Sequence, residues 1–169
     1  MRLGRAFYSD DAVEVAKSLL GKFLCVEAGK FRITETEAYR GFHDSASHAF
    51  RGITPRNEVM FGDGGFCYVY LCYGIHFLLN FVTGKKGEPE AVLIRGVEGF
   101  NGPGRLTKAL GIDMSFNRED LTVSGKIWLE DGEETPEYEE LERIGIDYAL
   151  KEDREKLWRF YLKKQGAKK

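Results

Sequence analysis

The chain has little of what staples a fold or holds a metal. Its 169 residues include three cysteines (Cys25, Cys67 and Cys72), three histidines and four prolines. An odd cysteine count without a CxxC pair excludes a disulfide framework, and the ligand spacing of a zinc site is missing. The cysteines are expected to be small buried hydrophobes, and on one strand Cys67 and Cys72 would face opposite sides. His43 and His48 lack acids at ligand spacing, so they read as hydrogen-bonded structural residues rather than metal ligands. No run of 18 uncharged apolar residues occurs, which excludes a transmembrane helix. The first two dozen residues carry acids within their apolar stretch and no cleavage pattern. The expectation is an intracellular protein, in cytoplasm or nucleoid if prokaryotic, and not a secreted one. Neither a Walker loop nor a dinucleotide fingerprint is present. Asparagine (four) and glutamine (one) are scarce beside plentiful lysine and glutamate, a composition that leans toward a heat-adapted source.

Excess charge is also missing. The net charge of −2 does not mark a polyanion binder, but residues 1–110 hold 14 basic and 12 acidic side chains whereas residues 111–169 hold 11 and 15. The acids gather in "LEDGEETPEYEELE" (129–142), which reads as a solvated loop or helix. Nucleic-acid binding would have to use a local basic face in the first two-thirds.

What is present reads as a single α+β domain. "DDAVEVAKSLLGKFL" predicts a helix, with Asp10 or Asp11 as cap, Val13, Ala16, Leu19 and Leu20 on one face and Gly21 as stop. Residues 23–26 predict a strand. "KFRITETEAYR" alternates, with Phe31, Ile33, Glu35, Glu37 and Tyr39 sharing one parity. "GFHDSASHAFRGITPRN" reads as a loop with a short helix, and "GDGG" as a turn. "FCYVYLCYGIHFLLNF" predicts two strands that turn at Tyr73-Gly74. "EAVLIRGVEGF" is a buried strand, "GPGRLTKALGI" a glycine turn opening a helix, and "KIWLEDG" a late strand. "KEDREKLWRFYLKK" is of mixed character.

Chemistry has four candidate seats. Glu35 and Glu37 share a face with Phe31 and Ile33, where a carboxylate needs a partner or a task. They could be the carboxylate pair of a glycoside hydrolase, or surface acids where the strand emerges into solvent. His43 and His48 are the second. "GPGRLTKALGID" could grip a phosphate through backbone N–H groups, or be a plain helix-capping turn. Tyr68, Tyr70 and Tyr73 could be core aromatics, or a platform for an unstacked base with Tyr73 as a wedge.

Ten blocks in order, "LLGKFL", "TETEAYRG", "SASHA", "TPRN", "MF", "YVYLCYGIHFLLN", "AVLIRGVE", "GPGRLTKALGID", "RIGIDYA" and "WRFYL", resemble the alkyladenine (3-methyladenine) DNA glycosylases. The resemblance spans residues 6–162, nearly the whole chain. It implies one mixed α/β domain with a curved, mostly antiparallel sheet and a protruding β-hairpin that enters the DNA minor groove. It implies base-excision repair by a monofunctional enzyme that hydrolyses the N-glycosidic bond of an alkylated or deaminated purine, with no metal or organic cofactor. By motif, Glu37 matches the general base and Arg95 an arginine that helps hold the water. Tyr39, His48 and Tyr70 match residues around the flipped base, with backbone at Ala46 and His48 lining the pocket. Asn80 matches the asparagine that crowds guanine's exocyclic amine. Tyr73 matches the intercalating residue, and Thr54, Ile75 and His76 match positions touching DNA; Arg56 is added from its charge. The partner is double-stranded DNA holding damaged purines, with no membrane, and the enzyme is expected to be a monomer. The alternatives are a catalytically weak lesion-binding module of the same fold, and a carbohydrate hydrolase using Glu35 and Glu37. The resemblance stops at the tail, residues 163–169, where Lys163, Lys164, Lys168 and Lys169 could offer nonspecific phosphate contacts.

Overall fold

The longest strand organises the sheet. In the computed structural model, which describes residues 1–132 and 136–163, strand β2 (Gly29–Tyr39) follows β1 (Phe23–Val26) and is paired on both sides. The other strands are β3 (Cys67–Cys72), β4 (His76–Thr83), β5 (Glu90–Val97), β6 (Phe100–Asn101), β7 (Ile127–Glu130), β8 (Tyr138–Leu141) and β9 (Arg159–Leu162). The spatial order is β3-β4-β5-β2-β1-β7; β6 adds to β5, β9 pairs with β2 and β8 pairs with β9. Every strand pair is antiparallel, and the sheet is curled. The helices are α1 (Ala12–Leu19), α2 (Pro103–Leu110) and the single turn α3 (Lys151–Arg154). No helix among the described residues is long and apolar enough to cross a membrane.

The main core lies between α1 and one face of the sheet. Asp11 caps α1, its carboxylate accepting from the Val13 and Glu14 N–H groups. Ala12, Val15, Ala16 and Leu19 are its buried residues, so Val15, not the expected Val13, completes the buried stripe. They pack with Ala38, Phe81, Val92, Ile94 and Phe160. The Thr36 hydroxyl donates to the Ala16 carbonyl at 2.9 Å and ties β2 to α1. Cys25 and Cys67 are buried and Cys72 half-buried, all three as free thiols.

Three expectations need correction. The shared parity of residues 31–39 breaks, because the β2–β5 register shifts between Ile33 and Glu35 and again between Glu35 and Thr36. Ile33 therefore joins the α1-side core along with Ala38, while Glu35 and Glu37 turn to the other face. The two carboxylates are not surface acids: Glu35 is 8% exposed and Glu37 0%. The acidic run is neither loop nor helix over Tyr138–Leu141, which is strand β8; β9 offers an open edge, and Tyr138 rests edge-on against Phe160. Residues 133–135 of that run, and residues 164–169 with most of the basic tail, lie outside the described residues.

Strands β3 and β4 pair in register from Cys67↔Phe81 to Cys72↔His76 and turn at Tyr73-Gly74. The Ile75 N–H closes the turn on the Cys72 carbonyl at 3.1 Å. Both central residues have positive φ, Tyr73 at 51° and Gly74 at 66°. That is the requirement of a type I′ turn, which favours Asn-Gly. Glycine meets it without cost; a bulky tyrosine in the left-handed region is strained.

Candidate active site

On the sheet face away from α1, a cavity of about 860 Å³ opens between the β3–β4 hairpin, the start of α2 and the segment 143–148. Its size is that of a small-molecule site. Tyr39, His48, Tyr70, Asn80 and Arg95 line it, and Arg56, Tyr73 and His76 stand at its mouth.

Glu37 lies beneath the cavity with every side-chain oxygen engaged. Oε1 accepts from the Tyr39 hydroxyl at 2.9 Å and from Arg95 Nη1 at 3.3 Å; Oε2 accepts from the Ile144 N–H at 2.7 Å. Burial pushes its pKa above the ordinary glutamate value, and Arg95, the Ile144 N–H, the Tyr39 hydroxyl and Arg143 pull it back only in part. Arg95 favours the ionised form, but desolvation outweighs it. A carboxylate whose proton affinity has been raised is suited to accepting a proton near neutral pH.

The aromatic walls are fixed by their own contacts. The His48 and Tyr70 rings lie 4.4 Å apart at 59°, and Tyr70 leans on Tyr68 at 5.4 Å. His48 Nδ1 and the Tyr68 hydroxyl share a hydrogen bond of 3.0 Å. His48 is exposed at the rim, yet the protein packed around it and the Arg56 charge hold its pKa down to about 4, so the ring is neutral at pH 7. Arg56 stacks its guanidinium over Tyr70 at 5.2 Å. Asn80 is buried and donates from Nδ2 to the Tyr68 carbonyl at 3.1 Å. Tyr73 is 93% and Ile75 71% exposed.

Three expected site residues stand apart from the cavity wall. Thr54 is exposed in a turn held by Asn57, and Ile75 sits beyond the mouth. The backbone groups of Ala46 are both occupied: its N–H donates to Asp44 and its carbonyl accepts from the Tyr148 hydroxyl at 2.6 Å. The glycine turn before α2 carries no side-chain cap; Arg105 and Lys108 reach the cavity from that helix.

Sequence reasoning counted "RIGIDYA" among the blocks of the resemblance but assigned none of its residues to the site. Arg143 is buried, forms a bidentate pair with Asp44 at 2.6 and 2.9 Å, and also donates to the Ala38 and Asp153 carbonyls. It lies between the Tyr39 and Trp158 rings at 4.9 and 5.0 Å. This anchor carries Ile144, whose N–H holds Glu37, and Tyr148. The signal available in the sequence was one arginine directly after an acidic run and before a glycine.

The model of the methylpurine-DNA glycosylase family matches residues 6–101 and 99–166. A protein of Desulfitobacterium hafniense (strain Y51) is 43% identical over 193 residues, covering 95% of each chain. One of Sodalis glossinidius is 47% identical over 165 residues, covering 94% of this chain and 95% of its own. One of Methanocella arvoryzae is 44% identical over 183 residues, covering 94% of this chain and 91% of its own. All three bear the provisional name 3-methyladenine DNA glycosylase.

Proposed function

The chain belongs to the methylpurine-DNA glycosylase family, and we propose that it is a monofunctional glycosylase of base-excision repair. It takes a damaged purine nucleotide out of the duplex and hydrolyses its N-glycosidic bond, leaving an abasic site. The observation that carries this reading is a fully buried carboxylate, Glu37, beneath a cavity walled by Tyr39, His48 and Tyr70.

The chemistry follows from that arrangement. A stacked base hides its glycosidic bond, and unstacking costs about a few kcal/mol, least for a damaged base. Tyr73 fills the vacated stack. The aromatic walls clasp the extruded base, and an alkylated, cationic purine is drawn further by their faces. Glu37 takes a proton from water, whose oxygen bonds to C1′ as the C1′–N bond breaks; the purine leaves with the bonding pair, and its positive charge makes it a good leaving group. Arg95 and the Ile144 N–H keep the carboxylate oriented. Cationic 3-methyladenine and 7-methylguanine are the substrates that this site needs least help to release; neutral hypoxanthine or ethenoadenine additionally needs a proton on the leaving purine. The test is release of free base from a duplex holding one 7-methylguanine or one hypoxanthine. An absence of release from both, with intact lesion binding, would make the protein a lesion reader.

The strained turn gives a separate prediction. Tyr73→Asn restores the residue that a type I′ turn favours, so the free protein gains roughly 1 kcal/mol of stability. The same change removes a stacking ring worth about 1–3 kcal/mol, so affinity for lesion duplex falls by about 5- to 150-fold. Paired melting and DNA-titration measurements check it. Unchanged affinity would reduce Tyr73 to an ordinary turn residue.

A further inference from the structure

The proposed reaction uses one of two carboxylates that stand two residues apart and leaves Glu35 without a task. Glu35 is nevertheless buried as a charge, which needs a reason. Its Oε2 accepts from Arg159 Nη1 at 3.0 Å and lies 3.9 Å from Arg95 Nε, an ion pair but no hydrogen bond. Arg95 Nη1 reaches Glu37 on its other side. Charges therefore alternate across three strands: Arg159 on β9, Glu35 on β2, Arg95 on β5, Glu37 on β2. The sheet irregularity is centred on this row. Glu35 opposes Gly96 and Thr36 opposes Ile94, so Arg95 is skipped in the ladder. Gly96 is required there, because a Cβ would meet Thr34 Oγ1 at 2.9 Å and Glu35 Cβ at 3.3 Å. Such bulges re-aim side chains beside active sites.

We propose that Glu35 is a positioning residue: it draws the Nε edge of Arg95 toward itself and so keeps the guanidinium from closing on Glu37 as a bidentate pair. This rests on the glycosylase reading above. A free guanidinium prefers the fork-to-fork geometry, with two bonds of about 2.7–2.9 Å. Closed that way, Arg95 would cover the Glu37 lone pairs that must face water and would lower the carboxylate's basicity. As found, only Nη1 touches Glu37, at a longer 3.3 Å.

The test is a double-mutant cycle on single-turnover base release from a duplex holding one 7-methylguanine. Glu35→Gln, alone, is expected to slow release about tenfold, and less than about twofold when added to Arg95→Gln, because its effect travels through Arg95. Lesion-duplex affinity should stay within about twofold of wild type in Glu35→Gln, since the substitution acts on the transition state. Equal slowing in both backgrounds, or affinity lost in step with rate, would make Glu35 a structural residue and overturn the proposal. So would undiminished release by Glu35→Gln. Glu35→Asp, which retains the charge but draws it back by one methylene, carries the same cycle where the glutamine variant folds poorly. Wild type that releases no base would remove the glycosylase reading itself, and the proposal with it.

Discussion

Glu37→Gln slows base release by about 10²- to 10⁴-fold, the usual contribution of a general base, and leaves lesion-duplex affinity within about twofold, because the base acts in the transition state. Glutamine keeps the shape and an oxygen for the Ile144 N–H, but it cannot accept the water's proton. Single-turnover release beside a binding titration separates the two effects, and a variant that turns over normally would strip Glu37 of its role. The pH dependence follows from the direction of the pKa shift. Burial raises the Glu37 pKa, and only the ionised form is a base. Wild-type rate should therefore fall, on acidification, through a pH above the ordinary glutamate value of about 4.3. Stability moves the opposite way. A carboxyl with a raised folded pKa imposes no penalty below its unfolded pKa and costs stability as pH climbs through the folded one. Wild type and Glu37→Gln should melt together near pH 4, and the variant should melt higher at pH 8. A variant that melts lower at pH 8 would mean that Arg95, Ile144 and Tyr39 outweigh desolvation.

That stored cost explains what the sequence could and could not disclose. Period-two alternation and the Asp11 cap exposed β2 and α1, because each is a local pattern with a local cause. The hairpin was legible from paired apolar runs around Tyr73-Gly74. Glu37 was legible as a chemical candidate, since a carboxylate within an apolar strand is costly wherever the strand goes. Three features depend on distant partners and left no local trace. The parity break at Glu35 arises where β5 slips against β2 at Gly96. Strand β8 forms because the edge of β9 needs covering, and nothing within "YEEL" itself announces a strand. The Arg143 anchor is assembled from Asp44, Ala38, Asp153 and two rings brought together only by folding.

The anchor carries the largest expected loss of stability. In Asp44→Asn the guanidinium of Arg143 remains enclosed, its side chain and that of Asp44 both wholly out of solvent, but without its counter-charge. Breaking one side of a buried pair costs about 3–5 kcal/mol, which for a domain of this size lowers Tm by about 6–20 °C. Replacing both partners with apolar residues, as in Asp44→Leu with Arg143→Met, should recover part of that loss, because an uncompensated charge, rather than a missing attraction, dominates the single variant. The effect on function comes through one residue. Arg143 fixes the backbone that leads into Ile144, and the Ile144 N–H is one of three groups holding Glu37. At temperatures where the folded variant persists, Asp44→Asn should therefore also release base more slowly, and the apolar pair should regain stability without regaining the rate. Calorimetry on the three proteins, followed by single-turnover release below the lowest Tm, reads both effects. A Tm drop of less than about 2 °C would show that the Ala38 and Asp153 carbonyls and the flanking rings suffice to hold the buried charge. A rate restored together with stability would show that Ile144 needs no help from Arg143 to meet Glu37.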